Sequence, residues 1–247
     1  MLVVNPGAGS GQGDFSGAAS PSRPARIPGT ADHGGLMNLA DAYLDTAAQA
    51  VTLLDAPEVA TAWAKSSALA EMTVGGLAGH LGYQVFSVTS ALQEPLSKEA
   101  PIPLLEHYAR AAWIDAPLDG EVNSGIRANG EDIASGGPQA LLERARATLA
   151  EQKAALPPVR DDRVVFMPQT GWALSLDDFL VTRMMELAVH MDDLAVSVGI
   201  AAPELSAAAF DPVLTLLAGL AARRHGQAAL LRALARVERA PAAINAL

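Results

Sequence analysis

The 247-residue chain contains no cysteine, which excludes a disulfide framework, a thiolate metal site and a cysteine nucleophile. Any thiol chemistry must take its sulfur from outside. Aromatic residues are scarce, at 4%, and no segment reaches the ~18 consecutive apolar residues of a membrane helix. The N-terminus lacks a basic stretch followed by an apolar core, so the expectation is a soluble protein of the cytoplasm. Positive charge is also in deficit. A formal net charge of −10 repels a phosphate backbone and argues against nucleic-acid binding through a global basic field.

Half of the residues are hydrophobic, enough for one large core. Alanine and leucine dominate, and both lose little side-chain entropy in a helix, so an all-α fold is expected. Residues 1–34 are rich in Gly, Pro, Ser and Ala and read as a flexible leader. Within them, Val4 to Gly11 resembles the opening of lipid-kinase domains. The Gly-Gly-Asp-Gly pattern of those domains is missing, however, and no P-loop follows. Residues 35–200 are expected to form a helical bundle and residues 201–247 a helical extension.

Apolar residues recur at three and four from Leu36 to about Lys65, with Pro57 as an interruption. Thr73 is a plausible N-cap for a helix running to about Leu92. Residues 101–134 combine a short apolar helix near Leu104 to Trp113 with Asp, Gly and Asn turns, and read as an irregular crossover. A third helix is expected from Ser135 to about Leu156. Val164 to Met167 is either a short strand or a crossing of the bundle end. Ser175 caps a fourth long helix that ends before Gly199. Two more helical stretches follow Pro203. In the last of these segments Arg223, Arg224, Arg232, Arg236 and Arg239 face only Glu238, either as a solvated basic face or as an anion-binding edge.

The fourth helix carries an unusual polar stripe. At ~100° per residue, Glu186, His190 and Asp193 fall within about 60° of one another, with Arg183 at the same edge. Burying such a carboxylate costs several kcal/mol unless a partner or a metal compensates it. Two readings fit the spacing: a metal-ligating pair, or an ordinary surface pair in which His190 meets Asp193. His80, on the second helix, can supply a third ligand or be a satisfied core histidine. His33, His107 and His225 read as surface residues.

Thr73 to Leu81 (Thr-Val-Gly-Gly-Leu-Ala-Gly-His-Leu) resembles the "W-T-V-x-x-L-x-x-H-L" signature of the DinB-like superfamily, in the branch of mycothiol-dependent maleylpyruvate isomerases. Thr182 to Ala195 resembles the second signature of that branch, "R-x-x-E-x-x-x-H-x-x-D-L", and Gly171 with Leu174 to Leu180 resembles the approach to it. The likeness spans roughly residues 36–240. It implies a DinB-like four-helix bundle with additional C-terminal helices, in which His80, Glu186 and His190 hold a divalent metal, usually zinc. Met72 stands where the family commonly has Trp, and the segment after residue 200 is shorter than the α/β C-terminal domain of the isomerase itself.

Three protein ligands leave a position open for water or a thiol. The resemblance names mycothiol as that thiol. The expected function is a zinc-dependent thiol transferase or thiol-assisted isomerase acting on a small electrophilic substrate. Asp193 would orient a ligand, and Arg183 would hold an anionic group of the substrate. The alternatives are a hydrolase using metal-bound water, or a non-catalytic bundle that binds a small molecule. Partners would be the substrate and the low-molecular-weight thiol, with no nucleic acid and no membrane; a homodimer is compatible with the sequence. No Gly-x-Ser-x-Gly elbow supports a serine hydrolase.

Overall fold

In the computed structural model, residues 38–247 are described apart from 112, 115, 118 and 157–162. The expected leader, with its Val4 to Gly11 segment and His33, lies outside the described residues. Asn38 opens helix α1 (Leu39–Leu54), its side-chain oxygen accepting the Asp41 N–H at 2.8 Å. Pro57 does more than interrupt: it stands in the first turn of a separate short helix, α2 (Pro57–Ala62), where its missing N–H costs nothing. Thr73 caps α3 (Val74–Gln93) by accepting the Gly76 N–H at 2.8 Å. At the other end, Arg163 donates to the carbonyls of Ala91, Leu92 and Glu94, which the helix itself leaves without partners.

The segment expected to be an irregular crossover is more ordered than that. After α4 (Leu104–Arg110) comes a full helix, α5 (Glu121–Ala134). Asn123, Gly125, Asn129 and Gly130 are poor helix formers, so propensity alone argues against it. Tertiary contact overrides propensity here. α5 lies so close to α3 that a Cβ added to Gly79 would overlap the Gly130 carbonyl, and one on Gly130 would meet the Gly76 carbonyl. Glu131 on α5 also accepts hydrogen bonds from the backbone N–H and the hydroxyl of Thr73, placing a carboxylate at the start of α3. An ion pair between Arg127 and Glu71 at 2.8 Å adds to the same junction.

Helix α6 (Gly137–Ala155) follows, then β1 (Val164–Met167) and β2 (Trp172–Ser175), which pair antiparallel as a hairpin. Ser175 ends the hairpin and caps α7 (Leu176–Val198) at once, accepting the Asp178 N–H at 3.1 Å. Gly199 closes α7 with φ of 75°, the left-handed conformation that favours glycine. The last helices are α8 (Ala207–His225) and α9 (Gln227–Ala235), followed by a 3-10 turn (Val237–Arg239).

The fold is all-α apart from the hairpin. Its centre is a four-helix bundle in which α1 and α3 each pack against both α6 and α7. Leu180, Met184, Leu187, Met191 and Leu194 alternate in steps of four and three along α7 and are completely or almost completely buried. That stripe is the seam of a bundle core, each such side chain contributing about 1.5–3 kcal/mol by leaving water. α8 lays Ala209, Val213, Leu216 and Leu220 onto the same core. A buried polar knot joins three helices: Tyr43 donates to Gln152 Oε1 at 2.9 Å, and the Gln152 amide donates to Val85 O and Thr89 Oγ1. Burial pushes the Tyr43 hydroxyl well above its ordinary pKa, so it stays a donor.

Candidate metal centre

Helices α3 and α7 pack directly together, and the polar stripe of α7 meets His80 in that contact. His80, Glu186 and His190 bring their donor atoms within 4.8 Å of one another. Glu186 Oε2 lies 3.7 Å from His80 Nε2 and 3.3 Å from His190 Nε2, and the two imidazole rings meet edge to face with centroids 4.7 Å apart. Their side chains remain 12%, 16% and 18% exposed, respectively, so the cluster is not fully sealed from solvent.

The electrostatics follow from this packing. Burial would raise the Glu186 pKa, but the His190 and His80 imidazoles beside it, and the charges of His190 and Arg183, outweigh it and hold the carboxyl below its usual range. For His190, burial lowers the pKa; hydrogen bonds to Asp193 and Glu186, together with their charges, raise it to about 9. Asp193 Oδ2 stands 3.0 Å from His190 Nδ1, where it accepts that ring proton and turns Nε2 toward Glu186. A carboxylate on the outer nitrogen of a histidine is the usual support for a metal ligand.

The donor set suits a divalent cation: two imidazoles and one ionised carboxylate, convergent and half-buried. These three residues could hold such an ion while leaving part of its coordination open. His80 differs from His190 in its support, because His80 Nδ1 is buried with no hydrogen-bond partner among the described residues. Its Nε2 lies 3.1 Å from the side-chain amide of Gln84, one turn further along α3. Arg183 donates through Nη1 to Gln84 Oε1 and through Nε to Thr182 Oγ1. Arg183 therefore sits at the edge of the cluster, as its place on the α7 stripe predicts.

A family model for the mycothiol maleylpyruvate isomerase N-terminal domain matches residues 43–195, more than half of the chain. The chain belongs to this family. The match spans both signature segments and therefore all of the three clustered residues. The protein is also similar to the crystal structure of the mycothiol-dependent maleylpyruvate isomerase, at 17% identity and a TM-score of 0.48, over 76% of this chain and 69% of that one. No curated protein matches it. Among the described residues, no helix is long and apolar enough to cross a membrane.

His107 corrects the sequence reading, which put it at the surface. It is only 9% exposed, and its Nδ1 accepts the Trp172 indole N–H at 3.1 Å, fastening α4 to the hairpin. Burial, then the Arg183 charge, lowers its pKa to about 4 against an opposing effect of Glu186, so it is neutral at physiological pH. Tyr108 beside it has a buried hydroxyl with no partner among the described residues. These residues feel the charges of Arg183 and Glu186 although nothing in their local sequence connects them to the cluster. Gln84 was also missed, and its spacing of four from His80 was the available signal. His225 is half-buried, its Nε2 2.8 Å from the Asn245 carbonyl. The five C-terminal arginines are all exposed, the arrangement of a solvated basic face, and Arg223 donates to the Leu105 carbonyl.

Proposed function

We propose that this protein is a metal-dependent, thiol-using enzyme: a transferase or isomerase in which His80, Glu186 and His190 hold a divalent ion, with zinc the first choice. The observation that carries this reading is the convergence of the three donor sets within 4.8 Å at a partly open position. A divalent ion bound there would supply a Lewis acid able to keep a coordinated thiol deprotonated at neutral pH. The chain's own residues do the rest. Glu186 contributes negative charge because its carboxyl stays ionised, and Asp193 keeps His190 oriented. Arg183 offers a guanidinium beside the cluster for an anionic group of the substrate.

With no cysteine in the chain, the thiol must be a small molecule, and the family points to mycothiol. The thiol sulfur would form a bond to an electrophilic carbon of a small substrate. It then either stays as a conjugate or leaves after bond rotation, which returns the thiol unchanged. We further propose cytoplasmic location, and residues 35–200 as the metal-binding unit with 201–247 as its extension.

Metal analysis of protein purified under metal-replete conditions tests the first half; about one zinc per chain is expected, and its absence would count against an enzyme of this kind. Mycothiol titration tests the second. If mycothiol neither binds the zinc form nor supports turnover, while zinc is present, a hydrolase using metal-bound water takes precedence.

A further inference from the structure

We propose that Gln84, oriented by Arg183, is the positioning residue for His80, holding its imidazole with Nε2 unprotonated and turned toward Glu186 and His190. This rests on the reading of the cluster as a metal site and states how its least supported ligand is prepared.

Three hydrogen-bonding facts force the arrangement. A guanidinium has only donors, so the Gln84 atom that meets Arg183 Nη1 must be the amide oxygen. The amide nitrogen therefore faces the other way, 3.1 Å from His80 Nε2. An amide nitrogen can only donate, so His80 Nε2 must accept, and the ring proton resides on Nδ1. His80 Nδ1 is buried and meets no acceptor among the described residues, so nothing at that end selects the tautomer. Glu186 Oε2, 3.7 Å from the same Nε2, pulls in the opposite sense by attracting a proton there. Gln84 is what resists it. Its own side chain is 2% exposed, and its carbonyl is held by an arginine itself tied to Thr182, so the amide cannot turn without losing that bond.

His190 and His80 are thus supported from opposite ends. Asp193 draws the proton to the outer nitrogen of His190, whereas Gln84 keeps it off the inner nitrogen of His80. The lone pair so protected is the one a cation needs, and an entering ion displaces a single neutral hydrogen bond rather than a proton.

Imidazole nitrogen spectra of metal-free, 15N-labelled protein in mildly alkaline buffer test this. In the wild type, His80 should show a protonated Nδ1 and a bare Nε2. In Gln84→Leu, which keeps the bulk and removes the amide, the proton should move to Nε2 in most molecules. Arg183→Met should do the same by freeing the amide to turn. Thermal melts establish that each variant is folded; if one is not, the other decides. A wild-type His80 protonated on Nε2, or folded variants that keep the proton on Nδ1, would overturn the inference. Zinc titration of the same wild-type sample separates the two ideas: the expected tautomers without zinc uptake would sink the metal reading alone.

Discussion

On α7, Glu186 and His190 stand one turn apart, and Asp193 meets the outer nitrogen of His190 at 3.0 Å. On α3, His80 has no such carboxylate; its outer nitrogen meets no partner among the described residues, and its inner one meets an amide whose orientation is set by an arginine from the other helix. The surroundings differ as well. α7 lies in the bundle through a regular apolar seam, whereas α3 is pressed against α5 at Gly76, Gly79 and Gly130, with no room for a methyl group. One half of the site is therefore a local pattern, robust to changes elsewhere in the fold. The other half depends on how closely two helices approach.

The sharpest way to break this contrast is Glu186→Gln, which removes the only carboxylate of the cluster and the atom both histidines face. Zinc affinity should fall by about a thousandfold or more, since a buried charge pattern loses its centre; an unchanged affinity by competition titration would mean the cluster is not the site. Next, Gly79→Val should overpack the α3–α5 contact and cost about 1–3 kcal/mol in chemical denaturation. It should also weaken zinc binding through His80 while leaving the His190 to Asp193 hydrogen bond intact.

Asp193→Asn probes the α7 side, with an expected loss of about 10–100-fold in metal affinity and little change in stability; the comparison fails if the α3 and α7 variants cannot be told apart by these two measurements. The smallest effect concerns His107. Its folded pKa of about 4 lies below the ordinary 6.5, so the fold favours the neutral ring. That contribution is complete above pH 6.5 and is lost as pH falls toward 4. Stability should drop by on the order of 1 kcal/mol across that window after solvent screening, and His107→Gln should flatten the drop.

The readable parts of the molecule were those whose signals are local. Ser175, the paired Asp177 and Asp178, and Gly199 mark the ends of α7, and the helix runs between them. Thr73 marks α3 in the same way. The juxtaposition of Glu186 and His190 follows from spacing, and the two family signatures added His80. What could not be read is what packing decides. α5 looks like a string of turn residues because Gly130 serves a neighbouring helix rather than its own. His107 looks like a surface residue because its burial comes from Trp172, sixty-five positions away. Gln84 sits on the face of His80, but Arg183, which gives it an orientation, is ninety-nine positions distant.

The polar knot at Gln152 bears on the depth at which His80 meets α7. Apolar helix faces can slide past each other by a turn and still bury similar surface, so packing alone leaves several settings close in energy. Gln152 bonds to Tyr43, to Val85 and to Thr89, and a slip of α3 by one turn would take the buried Gln152 amide off Val85 and Thr89. The bundle thereby behaves less like a greased sleeve than like a keyed lock. The key joins α3 to α6 and α1, and so bears on which turn of α3 faces Glu186.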